Sequence, residues 1–197
     1  MKIDLAELGI RDGIWEVIAT TRSEEGIFNA APIGLECREG RFSISLFRPS
    51  RTLENVLHSK RIGVNILHDP IVFVESATGN LDSSYFTILD DLPVIRNADF
   101  SVIFETRLFE RGERYRFDLE PIAAHKNFEV THPVNRGFNA LIEALILVTR
   151  YYVVNKSEMA DLLKGIEHYE GIVWKCGGKR EREAMELLRE HLRRLVG

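Results

Sequence analysis

NAAPIGLECREGRFSISLFRPSRTLENVLHSKRIGVNIL, residues Asn29 to Leu67, carries in order the signals of strand, hairpin turn, strand, basic loop, helix and strand. Phe28 to Cys37 reads as one strand and Arg41 to Phe47 as the next. In the second, Phe42, Ile44 and Leu46 share one face, while Ser43, Ser45 and Phe47 share the other. Glu39-Gly40 between them suits a tight hairpin, because glycine supplies the positive φ that such a turn requires. Pro49-Ser50 then stands ahead of Thr52 to Ser59, where Leu53, Val56 and Leu57 repeat at helical spacing. Arg61 to Leu67 returns to strand alternation through Ile62, Val64 and Ile66.

Outward from this segment the same signals recur. Ile14 to Thr21 is rich in β-branched residues, and Phe100 to Phe109, a turn at Arg111-Gly112 and Tyr115 to Leu119 form a second hairpin. Short strands joined by hairpins, interrupted by one short helix, predict an antiparallel barrel. Asp69 to Thr78 stays unassigned, since IVFV reads as strand while the acidic residue and proline before it can open a helix. Near residue 135 the period changes. Phe138, Leu141, Ile142, Leu145 and Ile146 make one helical stripe, and Met159, Leu162, Leu163 and Ile166 make another. A last helix carries Ala184, Leu187, Leu188, Leu192 and Leu195, with Glu181 and Glu183 early and Arg193 and Arg194 late, which complements the helix dipole. The predicted fold class is α+β, with a barrel domain over 1–134 and a small helical domain over 135–197.

The chain has 197 residues, 45% of them hydrophobic, enough for a sizeable core. Its formal charge of −4 disfavours a general nucleic-acid binder, whose affinity comes from neutralising phosphates. The basic residues between Lys179 and Arg194 are interleaved with acidic ones, as on a solvated amphipathic face. Two cysteines, Cys37 and Cys176, are too few for a disulfide framework and imply a reducing compartment. Asp4 and Glu7 interrupt the first apolar stretch, unlike a signal peptide. Phe138 to Val148 contains Glu143 and falls short of the roughly 20 apolar residues of a membrane span. A cytoplasmic protein without membrane or nucleic-acid partners is expected.

Pro32 has no N–H to give a ladder, so it belongs at an edge or an interruption of the sheet. Ala30, Ala31 and Gly34 beside it are small and leave the backbone open to a flat ligand, whose polar rim can bond main-chain groups. Arg48, Ser50, Arg51 and Thr52 gather where a strand ends and a helix starts; hydroxyls, guanidinium groups and free helix N–H groups together make a phosphate site. Taken alone, Ser50 and Thr52 read as helix caps. The case for a ligand rests on the combination, all within 39 residues. A planar ring near Pro32 and a phosphate near Thr52 describe flavin mononucleotide (FMN) better than a dinucleotide.

This segment resembles the FMN-binding split-barrel superfamily, which includes flavin reductases and pyridoxamine-phosphate-oxidase-like proteins. The whole chain, with its helical tail, is similar to an archaeal-type family of uncharacterised proteins having that barrel. The resemblance implies a homodimer with each FMN in a cleft lined by both subunits. It implies that Asn29, Ala30, Ala31 and Pro32 border the isoalloxazine ring, that Ser45, Leu46 and Phe47 lie on the adjoining strand, and that Arg48, Ser50, Arg51 and Thr52 hold the phosphate. It implies a cofactor and leaves substrate, electron donor and catalytic residues unassigned.

Other chemistry is weakly represented. The six histidines form no H-x-H or H-E-x-x-H pair, and His125 and His132 stand seven apart, so no metal site is expected. Gly177-Gly178-Lys179 lacks the glycine spacing of a phosphate loop and reads as a turn before the last helix. No G-x-S-x-G elbow occurs, and Cys37 lies inside a strand with no histidine nearby in sequence. Three readings remain: an FMN-dependent oxidoreductase acting on a small molecule, a non-catalytic flavin-holding or sensory dimer whose helical domain meets a macromolecule, and a ligand-free assembly barrel.

Overall fold

The computed structural model describes residues 10, 12–127, 135–155 and 157–196. Their strands are β1 (Gly13–Arg22), β2 (Phe28–Arg38), β3 (Arg41–Phe47), β4 (Arg61–Ile66), β5 (Phe86–Leu89), β6 (Leu92–Ile95), β7 (Phe100–Glu110) and β8 (Arg114–Lys126). The helices are α1 (Arg51–Ser59), α2 (Pro70–Thr78), α3 (Arg136–Thr149), α4 (Met159–Cys176) and α5 (Lys179–Val196). Six strands close into an antiparallel barrel in the order β1-β2-β3-β8-β7-β4, and β5 with β6 forms a separate hairpin. The strand expectations hold, with β8 running further than Leu119; the β5–β6 hairpin went unread because each strand has only four residues.

Alternation explains closure. Val17, Ala19, Leu35, Ile44, Leu46, Val64, Val102, Phe104 and Phe117 point inward and meet as one core. Glu39 and Gly40 have φ of 51° and 71°, so both central residues of the β2–β3 hairpin are left-handed, the conformation that matches strand twist. A fully buried polar side chain ties the barrel to the small hairpin. Asn65 Nδ2 donates to the Ile18 carbonyl at 2.9 Å and to Thr20 Oγ1 at 3.0 Å, while its Oδ1 accepts from Ile95 N–H at 2.8 Å and Ser101 Oγ at 2.9 Å. Both donors and both acceptor sites are used, so β1, β4, β6 and β7 are joined without an unsatisfied group.

The second compact unit gathers the described residues of Asp69–Gly79 and Thr131–Gly197. The sequence reading keeps 69–78 within the barrel domain and unassigned; the structure makes it a helix of the helical unit. Asp69 caps it by accepting from Ile71 N–H, Pro70 opens its first turn, and Val72, Phe73 and Val74 are all buried. A short helix buried on several sides has no apolar stripe to betray it. Phe73 meets Phe138 edge to face at 5.8 Å, and Asp69 accepts from Arg180 Nη2 at 2.5 and 2.6 Å. The buried Glu181 carboxylate accepts from Asn135 Nδ2 at 3.0 Å and Gly178 N–H at 2.8 Å, so Gly177-Gly178 is a turn whose exposed N–H is already claimed. No described helix is long and apolar enough to cross a membrane.

Gly63 of β4 lies where barrel and hairpin meet. A Cβ there would collide with Thr20 Oγ1 and stand 3.0 Å from the Pro93 carbonyl oxygen. Gly171, within α4, faces nothing within 4 Å. Gly63→Ala is expected to lower the unfolding free energy by about 1–3 kcal/mol through overpacking, whereas Gly171→Ala should raise it by up to about 1 kcal/mol through helix propensity. Urea titration of both variants checks the contrast; equal effects would show that the Gly63 site can relax.

Candidate functional site

The β2–β3 ladder runs from Arg38↔Arg41 to Leu35↔Ile44 and ends there. β2 continues along β1 as far as Arg22↔Phe28, and β3 continues along β8 as far as Phe47↔Arg114. Phe28 to Gly34 and Ser45 to Phe47 therefore face each other across a split in the barrel wall, with no ladder between them. Pro32 lies in this stretch, paired with Ile18 on the β1 side only, at the edge that its missing N–H demands. Every sequence-predicted binding residue flanks this split or the turn beyond it.

At one end of the split the chain leaves β3 through a cis Arg48–Pro49 peptide and enters α1. Ser50 is the N-cap: its Oγ accepts from Leu53 N–H at 3.2 Å and its carbonyl from Glu54 N–H at 3.1 Å. The N–H groups of Arg51 and Thr52 precede the first intrahelical bond, so the helix end presents donors. The Arg48 guanidinium lies 5.0 Å over the Tyr115 ring, which holds it at the barrel end. Arg48 and Arg51 are exposed, and neither pairs with a carboxylate among the described residues. Glu54, also exposed, is the one acidic residue of the first turn.

The individual side chains divide by role. Ala30 and Leu46 are buried, with 2% and 3% of their surface exposed. Ala31, Pro32 and Ser45 are half-buried, and Phe47 is 58% exposed. Asn29 and Thr52 are buried and bonded to each other, Asn29 Nδ2 donating to Thr52 Oγ1 at 3.0 Å. The capping expectation thus holds for Ser50 and fails for Thr52, whose hydroxyl joins a network with side chains remote in sequence. Gly34 departs from expectation: a Cβ there would stand 2.9 Å from Ile14 Cγ2, so the backbone at Gly34 is partly covered by a neighbouring side chain. Sequence reading missed Thr21, Asn55 and Tyr115. Asn55 comes three residues after Thr52 on α1, a spacing that places both on one helix face.

Two cavities, of about 680 and 820 Å³, lie elsewhere on the barrel: the first at the hairpin end of β2 and β3, the second between the start of β3 and residues of β7 and β8. In the first, Glu36 pairs with Arg38 and, at 3.7 Å, with Arg116, which also reaches Glu110 at 3.4 Å; Arg41, which lines both cavities, and Arg107 in the second are not in an ion pair among the described residues. Burial pushes the Cys37 thiol above its ordinary value, so it stays protonated near neutrality, unlike a thiolate nucleophile. His125 pairs along β8 with Ser101, while His132 lies outside the described residues. Among the described residues, no three His, Cys, Asp or Glu side chains gather as a metal site. The split, where unpaired strand edges meet a helix N-terminus and two exposed guanidinium groups, is the better candidate for a ligand with an anionic end.

Comparison with known proteins identifies the family and the fold. Residues 15–127 match the model of the "Protein of unknown function (DUF447) N-terminal domain", and residues 135–190 match that of "Protein of unknown function (DUF447)". An FMN-bound protein of Methanosarcina mazei from the same family is 39% identical, covers 95% of this chain and 100% of its own, and superposes with a TM-score of 0.87. An uncharacterised protein of Methanocaldococcus jannaschii is 23% identical over 91% of this chain and 98% of its own. A flavoredoxin of Methanosarcina acetivorans shares the barrel at 14% identity and a TM-score of 0.51, over 60% of this chain and 74% of its own. The split barrel with its appended helices belongs to the DUF447 family.

Proposed function

We propose that this protein binds FMN along the split, with the ring over the main-chain edge of Asn29 to Pro32 and Ser45 to Phe47, and with the phosphate at Arg48, Ser50, Arg51 and Thr52. The observation that carries this reading is the convergence, at one end of an unpaired strand edge, of a helix N-terminus and two exposed guanidinium groups that pair with no carboxylate among the described residues. That donor set fits a phosphate monoester dianion, which favours charge-assisted bonds and helix N–H groups. A family member that is 39% identical over 95% of the chain is FMN-bound, which supports the same cofactor here.

Bound FMN supplies a hydride acceptor and donor at N5, so the chain's own task is to bind, orient and limit access. The reading extends to a flavin-dependent oxidoreductase acting on a small molecule. It also includes a homodimer, since Ile14, Phe47 and Phe109 stand 69%, 58% and 48% exposed on the barrel strands β1, β3 and β7. Phe47 borders the split itself, so a second copy seated there would complete the flavin's surroundings.

FMN titration monitored by quenching of flavin fluorescence tests the binding. Arg51→Ala and Thr52→Ala are each expected to weaken FMN binding about ten-fold or more, the size of one hydrogen bond to a charged group. A wild-type protein that takes up no FMN would overturn the reading. Sedimentation analysis tests the assembly: Phe47→Asp is expected to yield monomers with weakened FMN affinity, and a dimer that persists unchanged would move the interface elsewhere. Turnover is tested by anaerobic bleaching of the flavin band with reduced nicotinamides and reoxidation by an acceptor. A flavin that stays oxidised with every donor would favour the flavin-holding dimer over the enzyme.

A further inference from the structure

Asn29 differs from the other residues along the ring edge, because its side chain turns away from solvent and into a network that crosses three elements. Its Nδ2 has two protons. One reaches Thr52 Oγ1 on α1 at 3.0 Å, and the other is directed at Thr21 Oγ1 on β1 at 3.5 Å. Asn55, one turn further along α1, donates to the same Thr21 oxygen at 2.9 Å. Thr21, Asn29 and Thr52 are all at least nine-tenths buried.

The donor inventory decides what this does. A threonine hydroxyl offers one proton and accepts at its oxygen. At Thr52 the oxygen accepts from an amide that can only donate at that atom, so the hydroxyl proton cannot be returned to Asn29 Nδ2 and is left for another acceptor. Arg51, exposed at the start of α1, and exposed Arg48, three residues earlier in the loop from β3, mark where such an acceptor would enter. Thr21 in turn accepts from both Asn29 and Asn55, which fixes the rotor that Asn29 leans on.

We infer that Asn29 is a positioning residue of the phosphate end, presetting the Thr52 hydroxyl as a donor toward the phosphate of the flavin, with Thr21 and Asn55 holding Asn29 in place. This inference rests on the FMN reading above and gives the Asn29 side chain a role at the phosphate end, while its main chain stays on the edge that borders the ring. It carries a specificity consequence. The network acts on a phosphorylated flavin and is indifferent to riboflavin, which has the same ring and no phosphate. Asn29→Asp would reverse the polarity: a carboxylate takes the Thr52 proton for itself and sets a negative charge against the phosphate.

The test measures the dissociation constants of FMN and riboflavin for wild type, Asn29→Ala, Asn29→Asp and Asn55→Ala, alongside thermal unfolding of each. For Asn29→Ala the FMN constant is expected to rise about ten-fold, and that of riboflavin by less than about two-fold. Asn29→Asp should raise the FMN constant further with riboflavin again unmoved, and Asn55→Ala should give a smaller loss for FMN alone. Equal losses for both flavins would return Asn29 to the ring, and unchanged FMN binding would remove it from the site. If Asn29→Ala fails to fold, Asn55→Ala decides between the same outcomes. Wild-type protein that binds neither flavin would instead refute the FMN reading, and this inference with it.

Discussion

A strand edge that loses its neighbour must find partners for its N–H and C=O groups in water, in side chains or in a ligand. That requirement organises the functional half of this protein. β2 and β3 are paired at their hairpin end and part company beyond Leu35↔Ile44, while each keeps its other neighbour. The barrel stays closed around its core because β1–β4 pairing completes the circle from the far side. The split is therefore a local release of ladder hydrogen bonds inside a wall that is otherwise continuous.

The helix beyond β3 gives the split its polarity. α1 begins immediately after β3, so its N-terminus is delivered to the same end of the gap that Asn29 reaches from β2. The positive end of a helix, two exposed guanidinium groups and fixed hydroxyls then lie at one end, while small half-buried residues lie along the edge. An elongated ligand with a flat, hydrogen-bonding ring and an anionic tail matches both. The hairpin-end cavities lack a helix N-terminus, and two of their arginines, Arg38 and Arg116, are paired with Glu36 and Glu110. Free helix N–H groups beside guanidinium groups set the split apart as an anion site.

Much of this is legible in the sequence alone. Alternation in Arg41 to Phe47, the Glu39-Gly40 turn and the helical spacing of Leu53, Val56 and Leu57 are local signals, and each element forms as its residues dictate. Pro32 announces an edge because its chemistry permits little else. The hidden features depend on partners remote in sequence. α2 is apolar on several sides because other helices cover it, which erases the stripe that marks an amphipathic helix. Asn65 and Thr21 look like unremarkable strand residues until the barrel closes and brings Ser101 to the one and Asn55 to the other. Thr52 reads as a cap because its actual partner, Asn29, lies 23 positions away.

Backbone hydrogen–deuterium exchange with and without FMN tests the central claim most directly, since it reads the main-chain groups of the split themselves. FMN is expected to slow exchange at residues 29–34 and at the Arg51 and Thr52 amides, with the hairpin end of β2 and β3 unaffected. Protection confined to the hairpin-end cavities, or no change along the split at saturating FMN, would contradict the account.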